Sequence, residues 1–108
     1  MRAAVKIIFF DGDEKFFGEG PAQLLLAIEE HGSLRAAAAS MGMAYTKALK
    51  IVKTAEKALG FPLTERSVGG EGGGGSRLTE NGKEWLCKYE KYKNACNEAA
   101  KRLYSEIF

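Results

Sequence analysis

Between residues 45 and 57 the chain sets Tyr45, Thr46, Lys47, Lys50, Lys53 and Lys57 in one run, with Glu56 as the single carboxylate between Lys47 and Lys57. An ammonium group carries three donors and no acceptor. Hydroxyl and ammonium donors of this kind satisfy phosphate oxygens and the acceptor edges of bases. Lysines three and four residues apart fall on one side of a helix. An ordinary solvated helix face also carries charge at this spacing, but it usually alternates in sign, and here the alternation is missing. Further basic and small polar groups flank the run: Ser33 and Arg35 before it, then Arg66, Gly70, Gly72, Ser76 and Arg77 after it. Together these residues form a candidate anion-binding and base-reading set.

Groups for other chemistry are scarce. His31 is the only histidine, and the two cysteines are Cys87 and Cys96. Those cysteines lie nine positions apart in a helical stretch, which at about 100° per residue puts them on opposite faces, so they cannot bridge each other. No metal-ligand set or nucleophile–base pair is evident, and neither an enzyme nor a cofactor is expected. Residues 69–76 formally contain GxGxxG, but a nucleotide site needs a helix straight after the glycines. Ser76-Arg77-Leu78 reads instead as a short strand.

The net charge of +2 is small, yet unevenly placed. Residues 1–32 carry three basic and six acidic side chains, residues 33–77 seven and three, and residues 78–108 six and five. Positive charge gathers in the middle, where the lysine run lies. No stretch approaches the ~18 apolar residues of a membrane span. The apolar opening is interrupted by Lys6 and followed by Asp11 and Asp13, so it reads as a strand rather than a signal peptide. A cytoplasmic protein is expected.

The elements that must position these groups follow from periodicity and punctuation. Ala4–Phe10 and Glu14–Gly18 predict a hairpin around Asp11-Gly12-Asp13. A helix over Ala22–His31 ends at Gly32. Ser33 caps a second helix, Leu34–Met41, and Gly42 stops it. A third helix runs from about Tyr45 to Leu59, with Tyr45, Ala48, Leu49, Val52, Ala55 and Leu59 on its apolar face. Its cap position holds Ala44, so its first turn is expected to be weak. Leu63–Val68 and Ser76–Leu78 predict a second hairpin with a glycine-rich tip. The two short helices around a tight glycine turn fit the helix-turn-helix plan, with Ala36–Ala39 permitting close approach. The expected fold class is α+β, mainly α: a winged helix-turn-helix over residues 1–78 followed by a long helix over residues 79–108.

That last helix repeats Trp85, Tyr89, Tyr92, Cys96, Ala99, Leu103 and Ile107 at spacings of three and four, close to a coiled-coil seam. A helix of nearly thirty residues is about 43 Å long and overhangs a domain of this size. Its seam is therefore expected to pair with a second copy, giving a homodimer that reads a palindromic duplex site. A winged module that binds protein partners instead of DNA stays open as an alternative on Glu71 and the modest net charge.

The segments Gly32-Ser33-Leu34-Arg35-Ala36-Ala37-Ala38, Gly42-Met43-Ala44-Tyr45-Thr46-Lys47-Ala48, Thr64-Glu65-Arg66 and residues 69–82, ending Leu78-Thr79-Glu80-Asn81-Gly82, resemble the DNA-binding domain of ModE-type regulators. These are molybdate-responsive repressors and activators related to LysR-type winged helices. The resemblance implies double-stranded DNA binding and transcriptional control, with Tyr45, Thr46 and Lys47 opening the recognition helix, the glycine tract forming the wing and the long helix dimerising. Family members carry a molybdate-binding domain after that helix. None follows Leu103 to Phe108 in this sequence, so regulation without molybdate sensing is expected.

Overall fold

The computed structural model describes residues 1–67 and 75–108. Two strands open the chain, β1 (Phe9–Asp11) and β2 (Glu14–Phe17). Three helices follow: α1 (Glu19–His31), α2 (Leu34–Ser40) and α3 (Tyr45–Leu59). Strands β3 (Thr64–Ser67) and β4 (Gly75–Leu78) then lead into α4 (Glu80–Ile107). Each strand pair forms its own two-stranded antiparallel sheet. This is the expected winged helix-turn-helix order.

The first strand is shorter than its β-branched and aromatic content predicts. β2 reaches back only to Phe17, opposite Phe9, before Gly18 leads into α1. Residues 4–8 therefore have no strand to pair with. Instead Val5 is held by a side chain: its N–H donates to Asn97 Oδ1 at 2.9 Å, and Asn97 Nδ2 donates to the Val5 carbonyl at 3.2 Å. Helix α1 begins earlier than expected, at Glu19, because the Gly18 carbonyl already accepts from Ala22 N–H at 3.0 Å.

One apolar core joins the elements. Leu24, Leu25 and Ile28 of α1 meet Ala37 and Ala38 of α2, and Ala48, Val52 and Ala55 of α3. The alanines bring the helix axes close, as a tight corner requires. Leu63, Leu78, Leu86 and Tyr89 belong to the same core, so the packing does not end at residue 78.

The start of α4 is fixed by a compact set of hydrogen bonds around Thr79. Thr79 Oγ1 accepts from Gly82 N–H at 2.9 Å and donates to the Pro62 carbonyl at 2.7 Å. Thr79 N–H also donates to the Leu63 carbonyl at 3.0 Å. A Cβ at Gly82 would run into that same carbonyl oxygen. The Leu-Thr-x-x-Gly pattern thus has a physical cause: a capping hydroxyl and, one turn on, a residue without a side chain where the preceding loop crosses.

One expected seam residue, Tyr89, is corrected by the structure, and a second, Trp85, is partly covered. Tyr89 is only 1% exposed, and Trp85 is half-buried against Phe9, Phe16 and Phe17. The N-terminal hairpin packs on both; it closes Tyr89 to another chain, while Trp85 keeps part of its surface. The distal residues differ: Tyr92, Leu103 and Ile107 are exposed, while Cys96 and Ala99 are half-buried. Helix α4 gives the molecule its elongated form, 56 × 28 × 25 Å.

Candidate nucleic-acid interface

The corner between α2 and α3 is built by local hydrogen bonds. Ser33 Oγ accepts from Ala36 N–H at 3.0 Å, the N-cap expected from its residue type. At the other end, Gly42 takes φ 63°, where a side chain would be strained. Met43 N–H reaches back to the Ala38 carbonyl at 2.9 Å, which folds the turn onto α2. Ala44 supplies no side-chain cap, as the sequence predicts, but its carbonyl accepts from Ala48 N–H at 3.1 Å and the first turn of α3 is closed.

This corner presents Tyr45, Thr46, Lys47 and Lys50 to the outside, all exposed. Arg35 stands beside them on α2, its guanidinium 4.3 Å from the centre of the Tyr45 ring. A cation over an aromatic face is attracted by the ring quadrupole and loses side-chain freedom. The sequence named both residues, but their stacking follows only from the turn geometry. Among the described residues, neither Lys47 nor Lys50 lies within 4.0 Å of a carboxylate.

Other members of the set are already engaged. Lys53 Nζ lies 3.8 Å from Glu56 Oε1, and Glu56 Oε2 accepts from Leu63 N–H at 2.8 Å. Glu56 therefore joins the end of α3 to the start of the hairpin, a role its position among lysines did not reveal. Arg77 faces Glu65 across the β3–β4 pair, with Nε 3.1 Å from Oε1. Cross-strand register produces this pair, and spacing along the sequence gave no signal of it. Arg66 is exposed opposite Ser76 in the register, and Ser76 N–H donates to the Gly32 carbonyl at 2.8 Å, holding the hairpin against the α1–α2 turn. Gly70 and Gly72 lie outside the described residues.

Among the described residues no group of three histidines, cysteines or acids could hold a metal ion. No helix there is long and apolar enough to cross a membrane. The exposed donors on the helix–turn–helix corner can make hydrogen bonds and neutralise charge.

Fold and corner together define a winged helix-turn-helix domain, and comparison with known proteins agrees. Residues 22–83 match the family described as bacterial regulatory helix-turn-helix protein, lysR family, and the chain belongs to that family. It is 38% identical over 74 residues to the molybdenum transport protein ModE of Herbaspirillum seropedicae, covering 68% of this chain and 26% of that protein. It is 34% identical over 77 residues to the molybdenum-pterin-binding protein MopA of Rhodobacter capsulatus, covering 71% of this chain and 29% of that one. The chain thus spans less than a third of the length of these relatives. Among solved structures, the protein of a CbnR_DBD–DNA complex matches with a TM-score of 0.61 at 21% identity, over 82% of this chain and 97% of that one. The resemblance to ModE-type regulators read from the corner and wing motifs therefore holds.

Proposed function

We propose that this protein binds double-stranded DNA through the N-terminal half of α3 and regulates transcription in the cytoplasm. The observation that carries the reading is the alanine-packed corner, which holds Thr46, Lys47 and Lys50 exposed with no carboxylate within reach of either lysine among the described residues. A helix is 10–12 Å across with side chains, and the major groove is about 12 Å wide, so α3 fits it. Tyr45, Thr46 and Lys47 then meet base edges. Arg35, Ser33, Arg66 and Ser76 lie to the sides, toward the two phosphate strands. Arg77 joins them by exchanging Glu65 for phosphate.

Two copies pair through the distal half of α4, where Tyr92, Cys96, Ala99, Leu103 and Ile107 form the stripe. Paired recognition helices favour a site with two inverted half-sites. The names of the relatives favour genes of molybdenum handling as targets.

Selection of bound sites from random duplexes tests this reading. The parent protein is expected to enrich an inverted repeat, and Lys47→Ala to change the preferred base at one position of each half-site. A uniform loss of binding across all sequences from Lys47→Ala would overturn its base-reading role. Failure of the parent to enrich any site would overturn the function itself.

A further inference from the structure

Helix α3 has a neighbour on its flank that a minimal helix-turn-helix lacks. The N-terminal hairpin packs beside it, and the two enclose an open cleft of about 510 Å³. Lys6, from the extended segment before β1, and Lys15, on β2, line one side, and Lys47 and Lys50 of α3 line the other. All four are exposed, and among the described residues none has a carboxylate within 4.0 Å. The one acid on the cleft wall, Glu19, is already bonded to Gln23, Tyr89 and Lys93. Four like charges around one cleft repel one another unless an anion joins them. The floor includes Ile8, Phe16 and Ile51, on which lysine stems can rest while their heads stay in water.

The far end of the same hairpin has the opposite sign. Asp11 and Glu14 line a smaller cleft with Thr54 and Lys57. The hairpin is thus graded along α3, basic beside its N-terminal half and acidic beside its C-terminal half.

Resting on the DNA-binding reading above, we propose that the N-terminal segment and its hairpin form a second phosphate-gripping element, in which Lys6, before β1, and Lys15, on β2, hold the DNA backbone alongside α3. The geometry leaves little choice of partner. A helix that fills the major groove leaves no room beside it for anything but the phosphate strand bounding the groove. Duplex DNA carries one negative charge per about 1.7 Å of axis, so that strand supplies anions to Lys6 and Lys15, which have no carboxylate within reach among the described residues, while Lys47 stays on the base edges. The acidic tip repels the backbone near Lys57 and fixes which end of α3 enters deepest.

Salt titration of duplex binding measures the claim directly. Each lysine–phosphate contact contributes about 0.9 to the slope of log K against log salt, so Lys6→Ala with Lys15→Ala should make it shallower by about 1.8 per protomer. For each protomer, the advantage of the parent over this variant should then shrink about 12-fold between ~50 and ~200 mM salt, on every duplex alike. The double arginine variant should keep the parent slope, and Lys91→Ala on the exposed side of α4 should leave it unchanged. The inference is overturned if the double alanine variant keeps the parent slope, or if Lys91→Ala lowers it equally per charge. A parent protein that binds no duplex at ~50 mM salt refutes the DNA-binding reading itself, and this inference with it.

Discussion

Helix α4 is a single amphipathic rod whose two halves have different fates. Its first half carries Trp85, Leu86 and Tyr89 into the domain's own core, where Phe9 and Phe17 pack against Trp85 and Tyr89 at centroid distances of 5.1–6.1 Å. Its second half carries Leu103 and Ile107 with 46% and 70% of their surface exposed. The spacing of apolar residues is the same in both. Periodicity therefore states that a face is apolar but not what covers it. The first half found its cover in an N-terminal hairpin more than sixty positions away in the sequence. The second half touches the rest of the chain at Asn97, which bonds Val5, but Leu103 and Ile107 stay exposed, and the proposed cover there is another copy of itself.

The largest effect that breaks this comparison comes from Tyr89→Ala. Removing a fully buried ring costs about 3–5 kcal/mol, a large share of the 5–15 kcal/mol that stabilises a typical domain. Urea unfolding should show this loss at any protein concentration. A cost below about 1 kcal/mol would mean that the first half of α4 is not anchored in the core. Next in size is Leu103→Glu combined with Ile107→Glu. Both residues are exposed, so the fold of one chain should be unchanged by circular dichroism. Sedimentation should nevertheless shift from dimer to monomer, and the concentration dependence of Tm should vanish. An unchanged mass would remove the distal interface. A charge at Tyr89 could not serve this purpose, because it would unfold the domain before testing any dimer.

The same distinction explains how much was legible beforehand. The corner was readable because its determinants are local: Ser33 as cap, Gly42 at positive φ, and four consecutive alanines. Helix α3 has the predicted limits, Tyr45–Leu59. The exposure of Lys47, Lys50 and Lys53 follows from the helical period, whereas Tyr45, which the period places on the apolar face, is exposed beside Arg35. What escaped were the partnerships between distant segments. Arg77 with Glu65 depends on strand register, and Asn97 with Val5 on a chain end reaching the far helix. The cleft that unites Lys6, Lys15, Lys47 and Lys50 exists only once the hairpin packs on α3. Each needed a tertiary contact that no local pattern encodes.

The finest distinction within the first half of α4 separates its packing from its polar tie. Tyr89 Oη donates to Glu19 Oε2 at 3.0 Å, and Lys93 Nζ lies 3.4 Å from the same oxygen. Glu19 is held below the ordinary carboxylate value by hydrogen bonds from Gln23, Tyr89 and Lys93, against a desolvation cost that acts the other way. Burial, reinforced by the Glu19 carboxylate, pushes the Tyr89 phenol up to about 12. The two shifts give opposite limbs. A depressed carboxylate contributes stability above its unfolded value, and that contribution is lost as acid titrates it below about 4.5. A raised phenol contributes stability below its ordinary 10, and that contribution is lost as pH climbs toward about 12. Tyr89→Phe keeps the ring and removes the hydroxyl. It should cost about 1.5–3 kcal/mol at neutral pH, as for a hydrogen bond to a charged group, with the lower end expected because Glu19 is partly exposed. It should also remove the phenol's share of the alkaline limb, leaving the share from the Lys93 ammonium that Glu90 and Glu19 hold above its ordinary value, and flatten the acid limb in unfolding curves taken across pH. If both limbs survive the substitution unchanged, the tie between α1 and α4 is packing alone.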